Sequence, residues 1–225
     1  MSLLRTAGAA TLVTGLTLLA APAQAQYSTS SAWVTPFAGV YFGGSLDGAT
    51  AGYGNLDFGT SFTWGARLGY KFNQSIGLVF EYAHADPTLT IKNASTAGWN
   101  GREIDSKTNV YEGTFNFYFG STPETMGYIA IGGGADNFSA ETVDTSTGNT
   151  IGGSKTYFGT VFGLGGQKYF NEKVGMTLDG RYRWVNVNGA DSIYCQPFYP
   201  FWCYTYDTSW YGSGEITLGV TYKFH

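Results

Sequence analysis

Charge, histidine and cysteine are scarce in this chain of 225 residues. Long apolar runs are also missing beyond its first 25 positions. Charged residues make up 12% of the chain, about half the share expected of a soluble domain. The two histidines, His84 and His225, leave little material for an imidazole base, and no carboxylate–histidine grouping has metal-ligand spacing. No catalytic, cofactor-binding or metal residue is therefore assigned. Two cysteines, Cys195 and Cys203, are too few for a disulfide-dense scaffold. With no second run of about 20 apolar residues, a bundle of membrane helices is excluded.

What the chain has is glycine, 33 residues, and aromatics, 17%. Its start reads as an export signal: Arg5, an uncharged run from Ala7 to Ala20, and a small-x-small site at Ala23-Gln24-Ala25. Residues 1–25 are then a signal peptide and 26–225 a single domain. Without Arg5, 11 basic residues face 16 acidic ones, a net charge of −5. The acids gather in long polar stretches: Asp47, Asp57, Asp86, Glu103, Asp105, Asp136, Glu141, Asp144, Asp191 and Asp207. This balance argues against nucleic acid as a partner. In an exported chain, Cys195 and Cys203 are expected to form a disulfide, with two unpaired thiols as the alternative.

Eight segments read as strands. They are Trp33–Phe42, Phe62–Phe72, Ile76–His84, Val110–Phe119, Gly127–Ala135, Tyr157–Phe170, Val174–Val187 and Trp210–Phe224. The period-two alternation is cleanest in the second, fourth, seventh and last, while glycine dominates the first, fifth and sixth. Four connections are long and polar, at about 43–61, 85–109, 136–156 and 188–209. Three are short: Asn73-Gln74-Ser75, Gly120 to Met126, and Asn171-Glu172-Lys173. Long and short alternate strictly. In the last strand Ile216, Leu218, Val220, Tyr222 and Phe224 share one face, and Thr217, Gly219, Thr221 and Lys223 the other. An apolar face ending in aromatics suits lipid, and the loop asymmetry suits a membrane. The expected fold is all-β: an eight-stranded antiparallel up-and-down transmembrane barrel with four long extracellular loops and three short periplasmic turns. A soluble sandwich or lipocalin-like barrel does not need such regular asymmetry. Pro36 within the first strand predicts a bulge or a strand end.

The export signal, the eight strands, the loop alternation and Tyr222-Lys223-Phe224 resemble the small eight-stranded outer-membrane family. That family includes the OmpA transmembrane domain, OmpX/Ail proteins and opacity-type adhesins. Gly163 to Phe170 and Arg181-Tyr182-Arg183 carry the resemblance further. It implies an integral protein of the bacterial outer membrane. Its partners would be membrane lipid, lipopolysaccharide and the assembly machinery, which recognises the closing strand. In the family that strand usually ends on Phe; here His225 follows.

If the aromatic faces look at lipid, the opposite faces place Arg67, Lys71, Glu81, Glu112, Asp179, Arg181, Arg183, Glu215 and Lys223 in the lumen. An eight-stranded barrel has only enough interior for side chains, so these charges must satisfy one another. A hairpin centred on Gln74 sets Arg67 across from Glu81. One centred on Glu172 sets Asp179 opposite Gly165 and Arg181 opposite Gly163, with the glycines leaving room. An ionic plug built from Arg67, Glu81, Glu112, Asp179, Arg181, Arg183 and Glu215 is the expected reading, with a gated ion path as its alternative. By phase His84 faces lipid, where a lipid deacylase could keep its base. Asp86 rather than Ser follows it on that face, and no enzyme is expected. The stretch from Tyr194 to Tyr206 packs Phe198, Tyr199, Phe201 and Trp202 between Cys195 and Cys203. It reads either as part of the interfacial girdle or as a rigid knob for an extracellular ligand or host surface. The functions weighed are a closed structural or surface-interaction barrel and, alternatively, a narrow porin or OmpW-like transporter of small solutes.

Overall fold

The computed structural model describes residues 30–46, 55–93, 100–101, 103–122, 124–143, 150–187 and 209–224. The segment 1–25, Cys195, Cys203 and the loop aromatics Phe198, Tyr199, Phe201 and Trp202 lie outside them. Among the described residues eleven strands run in chain order: β1 Ser31–Phe42, β2 Ser45–Leu46, β3 Asn55–Phe58, β4 Thr60–Lys71, β5 Ile76–Ala85, β6 Thr88–Lys92, β7 Glu103–Thr122, β8 Thr125–Val143, β9 Thr150–Tyr169, β10 Val174–Val187 and β11 Ser209–Lys223. Every pairing is antiparallel, and β1 pairs with β11, so the sheet closes on itself. The closed barrel has eight staves, because β2, β3 and β6 prolong β1, β4 and β5 beyond breaks at Gly43-Gly44, Gly59 and Asp86-Pro87.

Local chemistry fixes the short-turn end. Asn73 Oδ1 accepts hydrogen bonds from the backbone N–H of Ser75 and Ile76 at 2.8 and 2.9 Å. Asn171 Oδ1 does the same for Lys173 and Val174 at 2.9 and 2.7 Å. An Asx side chain that mimics a backbone turn reverses the strand and sets its register. The hairpins fall in the expected register: Arg67 faces Glu81, Asp179 faces Gly165 and Arg181 faces Gly163.

The predicted alternation governs the faces. Phe62, Trp64, Leu68, Tyr70, Phe115, Phe117, Leu178, Ile216, Leu218 and Val220 point outward and exposed. Aromatic pairs mark both ends of this belt, Tyr70–Phe72 and Tyr222–Phe224 at the turn end, Tyr82–Tyr111 and Tyr182–Trp184 at the loop end. Such girdles sit where lipid meets water.

Two expectations need correction. Pro36 makes neither a bulge nor an end. It lies mid-strand and faces outward, where its missing N–H is tolerated. The register with β11 is unchanged on both sides, Val34 opposite Tyr222 and Phe37 opposite Gly219, and only the pairings of Thr35 and Pro36 drop out. The long loops are also shorter than expected. The barrel wall continues through β2, β3, β6 and the outer parts of β7, β8 and β9. Asp136, assigned to a loop, is a buried residue of β8.

The β3 extension was hidden by a change of phase. Inward positions are odd-numbered in β4 but even-numbered in β3, because Gly59 adds one residue between them. The flip turns Leu56 and Phe58 inward and leaves Asp57 partly exposed. Gly44 permits the matching flip beside β11: a Cβ there would stand 1.9 Å from the carbonyl oxygen of Gly212.

Candidate functional site: the layered lumen

The lumen is filled in layers, beginning at the turn end. Trp33, Tyr118, Tyr128 and Gln167 are buried there. Lys71 Nζ lies 2.9 Å from Met126 Sδ and 4.6 Å from the centre of the Tyr118 ring. Above them the hydroxyls of Thr35, Thr221 and Thr177 form a chain, with contacts of 2.7 and 2.6 Å. It bridges the interval where Pro36 interrupts the β1–β11 ladder.

The middle layer holds the seven charged residues singled out from the sequence, and the structure brings all of them together. Arg67 is fully buried; it bonds Glu81 through Nε, while Nη2 reaches Asp179 at 3.2 Å, Glu215 at 3.3 Å and the Thr217 hydroxyl at 2.9 Å. Its guanidinium also lies 4.2 Å over the Phe37 ring. Arg181 Nη1 meets Glu112 at 2.9 Å and Glu81 at 3.2 Å, and its Nε meets Asp179 at 2.9 Å. Arg183 bonds Glu112 through Nε; its Nη2 lies 3.0 Å from Glu81 and 3.1 Å from Glu215.

The topology gives these contacts their meaning. β10 pairs with β9 and β11, whereas β5 pairs with β4 and β7. Bonds from Arg181 and Arg183 to Glu81 and Glu112 therefore cross the lumen between walls that share no ladder. Room for them comes from the neighbouring strand, β9, which pairs with β10. A Cβ at Gly163 would touch Arg181 Cγ at 3.2 Å. At Gly165 the space is taken by Tyr128, whose ring a Cβ would strike at 2.3 Å, rather than by Asp179 directly. Tyr128 in turn donates its hydroxyl to Asp179.

Sequence reasoning missed two elements. Asp136 is 3% exposed beside the network, within electrostatic range of Arg183, Glu112 and Glu81. The buried acids in and beside the network become Glu81, Glu112, Asp136, Asp179 and Glu215, facing three arginines. The second is an apolar outer layer of Leu56, Phe58, Leu89, Ile91, Ile104, Phe138, Val185, Val187 and Tyr211. The rings of Phe58, Phe138 and Tyr211 pack at 5.0 to 5.6 Å, and the Tyr211 hydroxyl meets that of Tyr41 at 2.7 Å. The signal was present in Leu89 and Ile91, which alternate with Thr88 and Thr90 inside a stretch read as loop.

His84 faces outward at the loop end. Its Nδ1 lies 2.8 Å from Asn109 Oδ1 and its Nε2 3.2 Å from Asp86, and its ring packs 5.4 Å from that of Trp64. Both ring nitrogens thus meet oxygens of Asn109 and Asp86, and among the described residues neither meets a serine hydroxyl.

A family model described as the outer membrane protein beta-barrel domain matches residues 11–224. The chain belongs to this outer-membrane barrel family. Among solved structures, Neisserial surface protein A is similar with a TM-score of 0.58 at 15% identity, covering 88% of this chain and 100% of that one. The outer membrane protein OprG from Pseudomonas aeruginosa gives 0.58 at 13% identity, covering 91% and 100%. No curated protein matches in sequence. The barrel is thus an integral outer-membrane protein: its exposed belt faces lipid and its three short turns face the periplasm.

Proposed function

We propose that this outer-membrane barrel is closed to ions and serves the envelope or the cell surface rather than permeation. The observation that carries this reading is the buried set of ion pairs from β10 to β5 and β7, across the full width of the lumen. A permeant ion would have to part several of these contacts at once. Separating one member of a buried pair costs about 3–5 kcal/mol. The packed apolar layer above adds a second barrier. The adhesive or stabilising element would then lie in the long loops, with the aromatic stretch holding Phe198, Tyr199, Phe201 and Trp202 as its proposed contact surface. The assembly machinery is the proposed partner of β11 during insertion. Lipopolysaccharide is the proposed neighbour of the outer girdle.

The apolar outer layer favours a second reading, a route for small apolar solutes that enter from outside and leave sideways above the ionic layer. Reconstitution distinguishes the two. Under the first, liposomes containing the protein take up neither ions nor a small aromatic hydrocarbon faster than empty liposomes. Under the second, hydrocarbon uptake rises while ion flux does not.

A further inference from the structure

The lipid-facing belt has a dent next to a charge. On the outward face of β9 the series Phe158, Phe162 and Leu164 is interrupted by Gly166, and Lys168 follows. Across the ladders, Gly166 faces Leu178 and Gly127, while Lys168 faces Met176 and Thr125. The position over Gly127 is filled by the Phe119 ring, which a Cβ there would meet at 2.5 Å. The position over Gly166 is open: the nearest atom to a Cβ is the Met126 carbonyl oxygen, at 3.7 Å. The result is a groove of about 430 Å³ with an almost wholly apolar surface, walled by Met176, Leu178, Leu218 and Phe170 and topped by Lys168.

Depth identifies what this groove meets. Lys168 lies three residues before the turn at 171–173, about 10 Å along a strand. It therefore sits at the periplasmic leaflet, the end opposite to the long loops. It is exposed and forms no ion pair among the described residues. Lys71 and Lys223, the other lysines of the periplasmic half of the strands, belong to the inward phase. The turn beyond carries Lys173 and Glu172, whose charges offset each other, and Glu124 lies on the neighbouring turn.

We infer that the groove over Gly166 seats an acyl chain of an anionic phospholipid of the periplasmic leaflet, with Lys168 pairing its phosphate. Burial in the groove does not itself select a lipid, since the bilayer is as apolar as the groove. The dent supplies shape, and the lysine supplies preference for negative headgroups, worth about fivefold per basic residue at a membrane surface. A long lysine stem can lie along the groove wall while its ammonium reaches headgroup depth.

The test is native mass spectrometry of the refolded full barrel released from detergent micelles, titrated with phosphatidylglycerol or phosphatidylethanolamine. The wild-type protein is expected to retain one phosphatidylglycerol with about fivefold preference over phosphatidylethanolamine. Lys168→Gln should remove the preference and keep the chain seat. Gly166→Leu fills a space with no close neighbour, so it should leave heat-modifiable migration intact and abolish retention of both lipids. Equal retention of the two lipids by the wild type would overturn the inference. So would wild-type retention by folded Gly166→Leu, or an unchanged preference in Lys168→Gln.

Discussion

Arg181 and Glu81 stand on strands that share no ladder, yet Nη1 of one lies 3.2 Å from Oε2 of the other. The contact spans the lumen, and Glu81 also receives Arg67 and Arg183. A single carboxylate on β5 is thus held by arginines from β4 and β10. Removing Glu81 would leave three guanidinium groups short of one anion, so it links the walls more than any pairwise hairpin contact does.

Arg67→Ala should destabilise the barrel by about 3–5 kcal/mol, because it strips a partner from Glu81, Asp179 and Glu215 at once. Lys71→Ala should cost much less, since Lys71 meets a thioether and a ring near the periplasmic mouth, where water can replace it. Urea unfolding in micelles, followed by tryptophan fluorescence, measures both. Equal midpoints would contradict the layered lumen.

Asp136→Asn should act in the opposite direction. Five buried acids face three arginines, and Asp136 Oδ2 has no hydrogen-bond partner among the described residues. Removing a surplus buried charge should raise the unfolding free energy by about 1 kcal/mol or more. Glu112→Gln, which breaks contacts to Arg181 and Arg183, should lower it. If both variants lose stability alike, the surplus does not exist.

These contrasts show where the chain was readable. Arg67 and Glu81 could be paired in advance because both lie on uninterrupted period-two strands joined by an Asn-fixed turn. Asp136 could not, because Gly132-Gly133-Gly134 just before it carries no side chains and so shows no alternation to continue. Leu56 and Phe58 were hidden by Gly59, which inverts the phase, and Leu89 and Ile91 by Pro87, which imitates a strand end. Glycine and proline mark loops in most chains. Here they mark joints in a wall that continues.

Those joints are themselves testable. Gly44→Ala should disturb the outer wall, since its Cβ would stand 1.9 Å from the Gly212 carbonyl oxygen. Protease cleavage confined to the outer strands, with heat-modifiable migration retained, is the expected readout. Gly166→Ala, with 3.7 Å to its nearest neighbour, should behave as wild type. Comparable cleavage of the two variants would argue against the close approach of β2 to β11.

The aromatic loop carries the surface role proposed above. Peptide mapping without reductant should recover Cys195 and Cys203 in one linked fragment, and N-terminal sequencing should begin at Gln26. Replacing Phe198, Tyr199, Phe201 and Trp202 together by Ser should abolish cell or ligand binding and leave the folded barrel intact. Impaired membrane insertion with binding unaffected would assign the loop to the interfacial girdle instead.

Closure of the lumen is the central claim, and planar-bilayer recording of the refolded protein tests it most directly. Wild-type protein should insert without stepwise conductance, because Arg67, Arg181 and Arg183 remain bonded across the barrel, whereas Glu81→Ala combined with Glu112→Ala should produce channel events. Steady unitary conductance from the wild-type protein would contradict the account.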